Sequence, residues 1–180
     1  MSGAAARPIA VAVSGSPRSP SRSKTLAELM LKALAKRGFE TRLIDLATLP
    51  AEALLARTQA PDVDEALAAV GEARIVIAAT PTYRALYTGL LKAFFDLMPQ
   101  AHLRGKLCVP LQTGIAREHF LAVEYGLRPL YTSLDGLPLA GVYATDDEFV
   151  EGEPSTELAA RVEALVAEVV AMAGWTATPP

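Results

Sequence analysis

Short apolar runs rich in valine, isoleucine and leucine alternate along the chain with segments in which apolar residues recur every three or four positions. The runs predict five strands, at residues 9–13, 39–46, 74–80, 106–113 and 137–144. The helical spacing predicts five helices, near residues 24–37, 62–72, 86–98, 117–132 and 155–173. Strands and helices therefore alternate throughout, which is typical of an α/β domain built on a parallel sheet.

The polarity of individual strands predicts their order in the sheet. The first, third and fourth runs are continuously apolar, as expected of strands that helices cover on both faces. The second run alternates apolar Phe39 and Leu43 with polar Glu40 and Arg42, which is typical of an edge strand. An edge second strand fits the order 2-1-3-4-5 of the flavodoxin-like fold, a five-stranded parallel sheet in a three-layer α/β/α arrangement. We predict a single domain over residues 1–180, with flexible ends at residues 1–7 and 175–180.

Composition and charge exclude several classes of function. With 51% hydrophobic and 21% charged residues, the 180-residue chain has the composition of a soluble globular protein. A net charge of −3 gives no reason to expect nucleic-acid binding, and a single cysteine with two histidines predicts neither a disulfide nor a metal site. The apolar stretch near the N-terminus is too short to span a membrane and lacks the order of a signal peptide, so we expect a cytoplasmic protein.

Ligands of open α/β sheets bind beyond the carboxyl ends of the strands, so the loops after strands one, three and four should converge on one site. The loop after strand one has the sequence SGSPRSPSRS. Among its side chains, the hydroxyls of Ser14, Ser16, Ser21 and Ser23 and the guanidinium groups of Arg18 and Arg22 are candidate phosphate ligands. Together with the N-terminus of the following helix, these groups favour a bound phosphate.

The loop contains neither the Walker A motif G-x-x-x-x-G-K-[ST] nor the dinucleotide-binding motif G-x-G-x-x-G, because Gly15 is its only glycine. A nucleoside monophosphate therefore fits better than a triphosphate. The alternative is that the serines only cap the helix, with Ser21 or Ser23 as the N-cap and the prolines stiffening the loop.

The loops after strands three and four suit a flat aromatic ligand. The loop TPTYRALYTG could lie along the edge of such a ligand between Tyr83 and Tyr87, and Gly89 would let the next helix approach closely. Alternatively, this loop is a simple turn whose tyrosines pack at the edge of the core. Residues 112–115 could direct backbone N–H groups at a carbonyl or ring nitrogen, or form a plain turn before a helix.

Three motifs in this order carry a family resemblance: GSPRSPSRS, ATPTYRALYTGLLKAFFD and TGIAREHFLAVEYGLRP. Over nearly its whole length the chain resembles the NADPH-dependent FMN reductase family of flavodoxin-like fold. It is most similar to the reductases that supply reduced FMN to two-component alkanesulfonate monooxygenases.

The resemblance implies roles for the three loops. The first would hold the FMN phosphate through Ser16, Arg18, Ser21, Arg22 and Ser23. The second would line the isoalloxazine with Pro81, Thr82, Tyr83 and Arg84. The third would contact the other ring edge through Thr113 and Gly114. Relatives usually have TGG at this point, whereas Ile115 stands here.

The predicted helix at residues 117–132 contains a defect. Pro129 has no N–H, so the carbonyl of Tyr125 loses its helical partner, and Gly126 weakens the helix further. We expect a kink or π-bulge at Tyr125 and Gly126. The resemblance implies that Tyr125 marks a residue inserted in a π-helix at a subunit interface, and our hypothesis is that it sets whether FMN stays bound or exchanges. A kink with only a packing role is the alternative.

These expectations amount to an NAD(P)H-dependent FMN reductase that passes reduced FMN to a partner monooxygenase, in sulfonate sulfur assimilation. The cofactors are FMN and NADPH, and the sequence does not exclude NADH; Arg22, Arg84 and Arg117 are candidates for the 2′-phosphate. We predict no catalytic side chain, since hydride transfer is cofactor chemistry, His119 suits a structural role, and Cys108 suits inert packing in a strand.

Two alternatives remain open at this point. One is a reductase of quinones, azo dyes or metal ions with tightly bound FMN, and the other is a non-catalytic electron carrier. Apolar residues on two helices also predict a homodimer or homotetramer. These residues are Leu86, Leu90, Phe94, Phe95, Leu121 and Leu130.

Overall fold

The computed structural model describes residues 6–174. Its main sheet has four long parallel strands, β1 (Ile9–Ser14), β2 (Glu40–Asp45), β3 (Ile75–Pro81) and β4 (Leu107–Gly114). Two short strands, β5 (Leu137–Pro138) and β6 (Val142–Thr145), pair with β4 and share the fifth position. The predicted order 2-1-3-4-5 is thereby confirmed. Of the ends predicted to be flexible, all but residues 6 and 7 lie outside the described residues.

The fifth strand is broken, where the sequence predicts one strand over residues 137–144. Strand β5 pairs with β4 at Leu107 and Cys108, and β6 pairs with β4 only from Leu111 onward. Pro110 lies between these points and has no N–H to donate to a neighbouring strand. Gly141 passes so close that a Cβ there would collide with the Pro110 carbonyl oxygen. The single-strand prediction was wrong because apolar patterning does not show where the neighbouring strand lacks a donor.

Helices cover both faces of the sheet. They are α1 (Arg22–Ala35), α2 (Ala51–Leu54), α3 (Pro61–Glu72), α4 (Gly89–Asp96), α5 (Arg128–Thr132) and α6 (Thr156–Ala173). Helices α1 and α6 pack on one face, where Leu26 and Val162 join the core; α3, α4 and α5 pack on the other. A short antiparallel hairpin precedes α6 and was not predicted; its strands are β7 (Phe149–Val150) and β8 (Glu153–Pro154). No helix within residues 6–174 is long and apolar enough to cross a bilayer.

The chain uses part of its predicted association surface internally. Phe94, Phe95 and Leu130 are buried in the core beneath α4 and α5. The prediction that these side chains face a second copy was therefore wrong, because helical periodicity does not show how wide a stripe one sheet face can cover. Leu86 and Leu121 are exposed, as predicted.

The predicted defect near Pro129 is confirmed. In place of one helix over residues 117–132, the chain forms a 3₁₀ turn (Arg117–Phe120), a π-helix (Val123–Leu127) and α5. The backbone N–H of Arg128 bonds to the carbonyl of Val123, five residues back, as a π-helix requires. Pro129 stands in the first turn of α5, where the missing N–H costs nothing.

A buried tyrosine joins two central strands beneath α5. The hydroxyl of Tyr131 donates to the carbonyl of Val109 in β4 (2.9 Å) and accepts from the N–H of Ala78 in β3 (2.7 Å). Burial raises the pKa of Tyr131 well above its usual value, so the hydroxyl stays protonated and can donate. Tyr131 therefore satisfies two backbone groups that β3 and β4 would otherwise satisfy directly.

Candidate functional site

The three loops meet at the carboxyl ends of β1, β3 and β4 and enclose a cavity of about 310 Å³. Nine of the eleven residues predicted to bind the flavin line it: Ser16, Arg18, Ser21, Arg22, Pro81, Thr82, Tyr83, Thr113 and Gly114. The other two, Ser23 and Arg84, do not. Four further residues line the cavity and were not among the predicted contacts: Pro20, Ile115, His119 and Asp146.

The serines of the first loop hold local structure as well as lining the cavity. Ser21 is the N-cap of α1, and its Oγ accepts from the N–H of Lys24 at 3.4 Å. Ser23 is buried, and its Oγ lies 3.1 Å from that of Ser21. The Oγ of Ser16 accepts from the N–H of Arg18 at 3.3 Å, which folds the loop back on itself. The capping alternative is thus correct for Ser21, and Ser16 and Ser21 still line the cavity.

The mouth of the first loop is electropositive. Helix α1 has 14 residues, and the positive end of its dipole faces the loop. Its first turn contains no acidic residue that would neutralise this positive end. Arg18 is exposed at the cavity. Arg22 lies 3.4 Å from the carboxylate of Asp146, which follows β6. Asp146 was not predicted, because the fifth strand was not expected to deliver a residue to this loop.

The second loop forms a tight turn at the rim. Tyr83 and Leu86 bond to each other through both backbone groups, at 2.8 and 3.1 Å. Arg84 and Ala85 between them have φ values of 49° and 67°, as in a type I′ turn, where side chains are disfavoured by about 1 kcal/mol each. The turn carries Arg84 into solvent, away from the cavity.

Two threonines and a glycine anchor the second loop to the first. The Oγ of Thr88 donates to the carbonyl of Gly15 at 2.6 Å and caps α4 by accepting from the N–H of Leu91 at 3.1 Å. Thr80 accepts from the N–H of Thr88 at 3.2 Å. A Cβ on Gly15 would lie 2.7 Å from the Cβ of Leu91, so Gly15 permits α4 to approach β1. The prediction that Gly89 permits this close approach was wrong, because a Cβ on Gly89 would meet open space.

A glycine closes the cavity at the third loop. A Cβ on Gly114 would collide with the hydroxyl of Tyr143 and come within 3.0 Å of the Thr82 hydroxyl oxygen. Tyr143 is held there because its hydroxyl donates to the carbonyl of Ala116 at 2.9 Å, and burial raises its pKa. The next residue, Ile115, is 83% exposed and borders the cavity.

Two buried polar atoms near the strand ends lack a hydrogen-bond partner among residues 6–174. They are the Oγ of Ser14 in β1 and the Oε1 of Gln112 in β4. The amide nitrogen of Gln112 donates to the Oγ of Thr82 at 3.0 Å, so this side chain supports the second loop with one end only. Unsatisfied buried groups are costly, and neither of these two residues lines the 310 Å³ cavity.

A second cavity of about 410 Å³ lies beside the first, along the outer edge of β6. Arg117, Phe120, Tyr143 and Arg161 line it together with acidic residues. Of the three arginines considered for the 2′-phosphate, only Arg117 borders this cavity; Arg22 borders the first cavity and Arg84 neither.

The remaining candidates occupy different environments. His119 is exposed at the first cavity and not packed in the structural role predicted for it. Tyr125 is 76% exposed in the π-helix and lines neither of these cavities. Cys108 is buried, and burial raises the pKa of its thiol to about 12, as expected of an inert cysteine.

The chemistry of the first cavity fits FMN. Hydroxyls, two guanidinium groups and a helix N-terminus gather at one end and suit a phosphate. Pro81, Tyr83 and Ile115 provide apolar surface at the other loops, and Gly114 leaves backbone accessible where a side chain would fill the space. This combination suits a flat ring attached to a phosphate.

Comparison with known proteins gives a consistent result. A profile of the NADPH-dependent FMN reductase family matches residues 9–150. An FMN reductase (NADPH) from Pseudomonas putida is 36% identical over 159 residues, or 86% of this chain and 81% of that protein. The NADH-dependent FMN reductase SfnF from Pseudomonas fluorescens is 35% identical over 158 residues, or 84% of each protein.

A solved structure extends the similarity to three dimensions. The apo form of the NADH:FMN oxidoreductase EMOB has a TM-score of 0.84 to this chain at 34% identity, covering 95% of this chain and 91% of that one. The predicted family and the flavodoxin-like fold are therefore confirmed. The chain belongs to the NADPH-dependent FMN reductase family and is an NAD(P)H-dependent FMN oxidoreductase.

Proposed function

We propose that this reductase binds FMN in the 310 Å³ cavity as an exchangeable substrate and releases it reduced. One observation carries the proposal: a single cavity is lined by Arg18 and Arg22 beside the N-terminus of α1, and also by Gly114, where a side chain would fill the space. The redox chemistry itself, transfer of a hydride from a reduced nicotinamide to a flavin, belongs to the cofactors.

The residues of the chain itself would bind FMN and orient its ring. Arg18, Arg22, Ser16 and Ser21 would hold the phosphate, with Ser23 supporting Ser21. Pro81, Thr82 and Tyr83 would border one edge of the ring, and backbone N–H groups near Thr113 and Gly114 the other. Such fixed donors favour negative charge on a bound ring without having to reorganise.

The test is steady-state oxidation of NADPH and of NADH by flavin-stripped protein with FMN varied. Saturable dependence on free FMN, with weak activity on riboflavin, supports the proposal. Activity that ignores added FMN but responds to quinones or dyes supports a reductase with tightly bound flavin, and no oxidation of either nicotinamide supports an electron carrier.

A pair of arginine variants tests the phosphate assignment. Arg18→Ala should raise the Kd for FMN about tenfold and leave the Kd for riboflavin unchanged, because one charge-assisted contact is lost. Arg84→Ala is the matched control: it removes the same charge from the neighbouring loop, outside the cavity. Equal effects of the two variants would contradict the assignment.

We further propose that reduced FMN passes to a partner monooxygenase, in the cytoplasm, and that the pathway is sulfonate sulfur assimilation. Two observations support this proposal. The sequence resembles FMN reductases of two-component monooxygenase systems, and the Sfn FMN reductases are among the relatives. In an anaerobic reaction with excess NADPH, reduced FMN should pass an ultrafiltration membrane that retains the protein. Retention of all reduced flavin with the protein would contradict a diffusible product.

We also propose that two copies associate through the exposed apolar residues of the π-helix region. Leu86, Phe120, Leu121 and Tyr125 are all exposed, and the side chain of Leu86 lies against Gly126 of the π-helix. Light scattering should give at least twice the 19.0 kDa chain mass. Tyr125→Ala should weaken this association and change FMN retention; an unchanged mass and retention would contradict a role for Tyr125 in exchange.

A further inference from the structure

A carboxylate stands among the groups that suit a phosphate. Asp146 lines the same cavity as Arg18, Arg22 and Ser16, and its Oδ2 lies 3.4 Å from a terminal nitrogen of Arg22. Each of the two side chains is about half exposed. The phosphate of FMN carries a charge between −1.5 and −2 at pH 7, so Asp146 both competes with it for Arg22 and repels it.

The position of Asp146 does not depend on Arg22. It begins a 3₁₀ turn (Asp146–Glu148) that follows β6, and Thr145 caps this turn through a capping box with Glu148. The carboxylate of Glu148 accepts from the N–H of Thr145 at 2.8 Å and also contacts Arg161. Asp146 is therefore held at the cavity by the backbone of the turn, whichever way Arg22 points.

The neighbouring carboxylates have other partners. A hydrogen bond from Thr145 lowers the pKa of Asp147, and Glu148 binds Thr145 and Arg161. Only Asp146 of this turn lines the 310 Å³ cavity. The three acidic residues thus differ in what they face, and one of them opposes the predicted ligand.

We propose that Asp146 holds Arg22 in the flavin-free protein and opposes the phosphate in the complex, so that FMN dissociates faster than the cationic loop alone would allow. The inference rests on the proposed function, in which FMN is an exchangeable substrate held by its phosphate. An exposed ion pair contributes little stability, so Arg22 can change partner readily, and the retained carboxylate keeps affinity moderate.

The test compares FMN and riboflavin binding to flavin-stripped Asp146→Asn and wild-type protein by fluorescence titration, with FMN dissociation followed by stopped flow. Asp146→Asn should lower the Kd for FMN about three- to tenfold, mainly through slower dissociation. Riboflavin has no phosphate, so its Kd should not change. Asp147→Asn is the matched control, because it makes the same change in net charge one residue farther along and outside the cavity.

A double-mutant cycle with Arg22→Gln separates competition for Arg22 from simple repulsion. If the ion pair matters, Asp146→Asn should have a smaller effect on FMN affinity in the Arg22→Gln background. An equal effect in both backgrounds would overturn the part assigned to Arg22.

The remaining outcomes are also decisive. Unchanged or weaker FMN binding by Asp146→Asn overturns the inference, and so does a parallel loss of FMN and riboflavin, which would mean that Asp146 accepts a hydrogen bond from the part that both flavins share. In either case a wild-type preference for FMN over riboflavin leaves the proposed function intact. Only a wild-type protein that binds both flavins equally would remove the phosphate-binding site itself.

Discussion

Gly114 shows how a single missing side chain shapes the site. The space that a Cβ would need is taken by the hydroxyl of Tyr143, which is fixed by its bond to the carbonyl of Ala116. Gly114→Ala should therefore displace Tyr143 and narrow the cavity. We expect the Kd for FMN to rise at least tenfold and the free energy of unfolding to fall by about 1–3 kcal/mol.

The control for this variant is Gly89→Ala. Gly89 begins α4, and a Cβ there would meet nothing within 4 Å beyond its chain neighbours and the backbone of its own helix. Replacing glycine by alanine in a compatible helix stabilises a protein by about 0.4–1 kcal/mol. Urea unfolding and FMN titration of both variants check the pair, and a Gly114→Ala protein that behaves like Gly89→Ala would show that the Tyr143 contact yields without cost.

Cys108 leads to a prediction about reactivity. Its thiol is buried, and a pKa of about 12 leaves almost no thiolate at pH 8. The folded protein should not react with a thiol-specific chromogenic disulfide within an hour at pH 8, and one equivalent should react in guanidinium chloride. Rapid labelling of the folded protein would mean that β4 opens locally.

At the scale of elements, Tyr131 is the link between β3 and β4. Tyr131→Phe leaves the N–H of Ala78 and the carbonyl of Val109 buried without the hydroxyl that now serves both. We expect the free energy of unfolding to fall by about 1–3 kcal/mol, measured by urea denaturation. Tyr125→Phe, which removes a hydroxyl from an exposed tyrosine, should have almost no effect. A loss below about 0.5 kcal/mol is within the error of such a measurement. It would mean that β3 and β4 move together and that the N–H of Ala78 and the carbonyl of Val109 bond directly.

An element could be predicted from the sequence where its own residues determine its local conformation or burial. Continuous apolar runs identified β1, β3 and β4, and Pro129 located the π-helix to within its five residues. The break between β5 and β6 was not predictable, because it depends on Pro110 of a different strand. The role of Tyr131 was missed for the same reason: nothing in its own segment indicates that two distant backbone groups need a hydroxyl.

At the scale of the whole molecule, some residues of the site could be predicted from the sequence and others could not. Strand order brings loops one, three and four together, and the family resemblance carried by three short motifs named nine of the residues that line the cavity. Asp146 reaches the cavity from the fifth strand, and His119 through the turn that replaces a helix, so local sequence gave no signal for either. Arg84 lies outside the cavity, and the positive φ values of the type I′ turn that place it there could not be inferred from its own motif.

Binding of FMN should stabilise the whole domain. A ligand that binds only the folded state at one hundred times its Kd adds about 2.7 kcal/mol, which for 180 residues corresponds to a rise in Tm of about 5–10 °C. Riboflavin at the same concentration should raise the Tm less, because it lacks the phosphate. Differential scanning fluorimetry is unsuitable for a fluorescent ligand, so circular dichroism should be used; equal shifts with the two flavins would contradict phosphate recognition.

The broken fifth strand also bears on how the protein behaves when concentrated. An uninterrupted, exposed edge invites further strands to add and can seed aggregates. Here one edge is β2, which carries Glu40 and Arg42, and the other is divided at Pro110 and Gly141, with Arg161 bonded to the carbonyl of Tyr143. Charged side chains on one edge and a break in the other both oppose the addition of further strands. Assemblies of this chain are therefore expected to stay discrete, and growth into fibres by adding strand to strand is disfavoured.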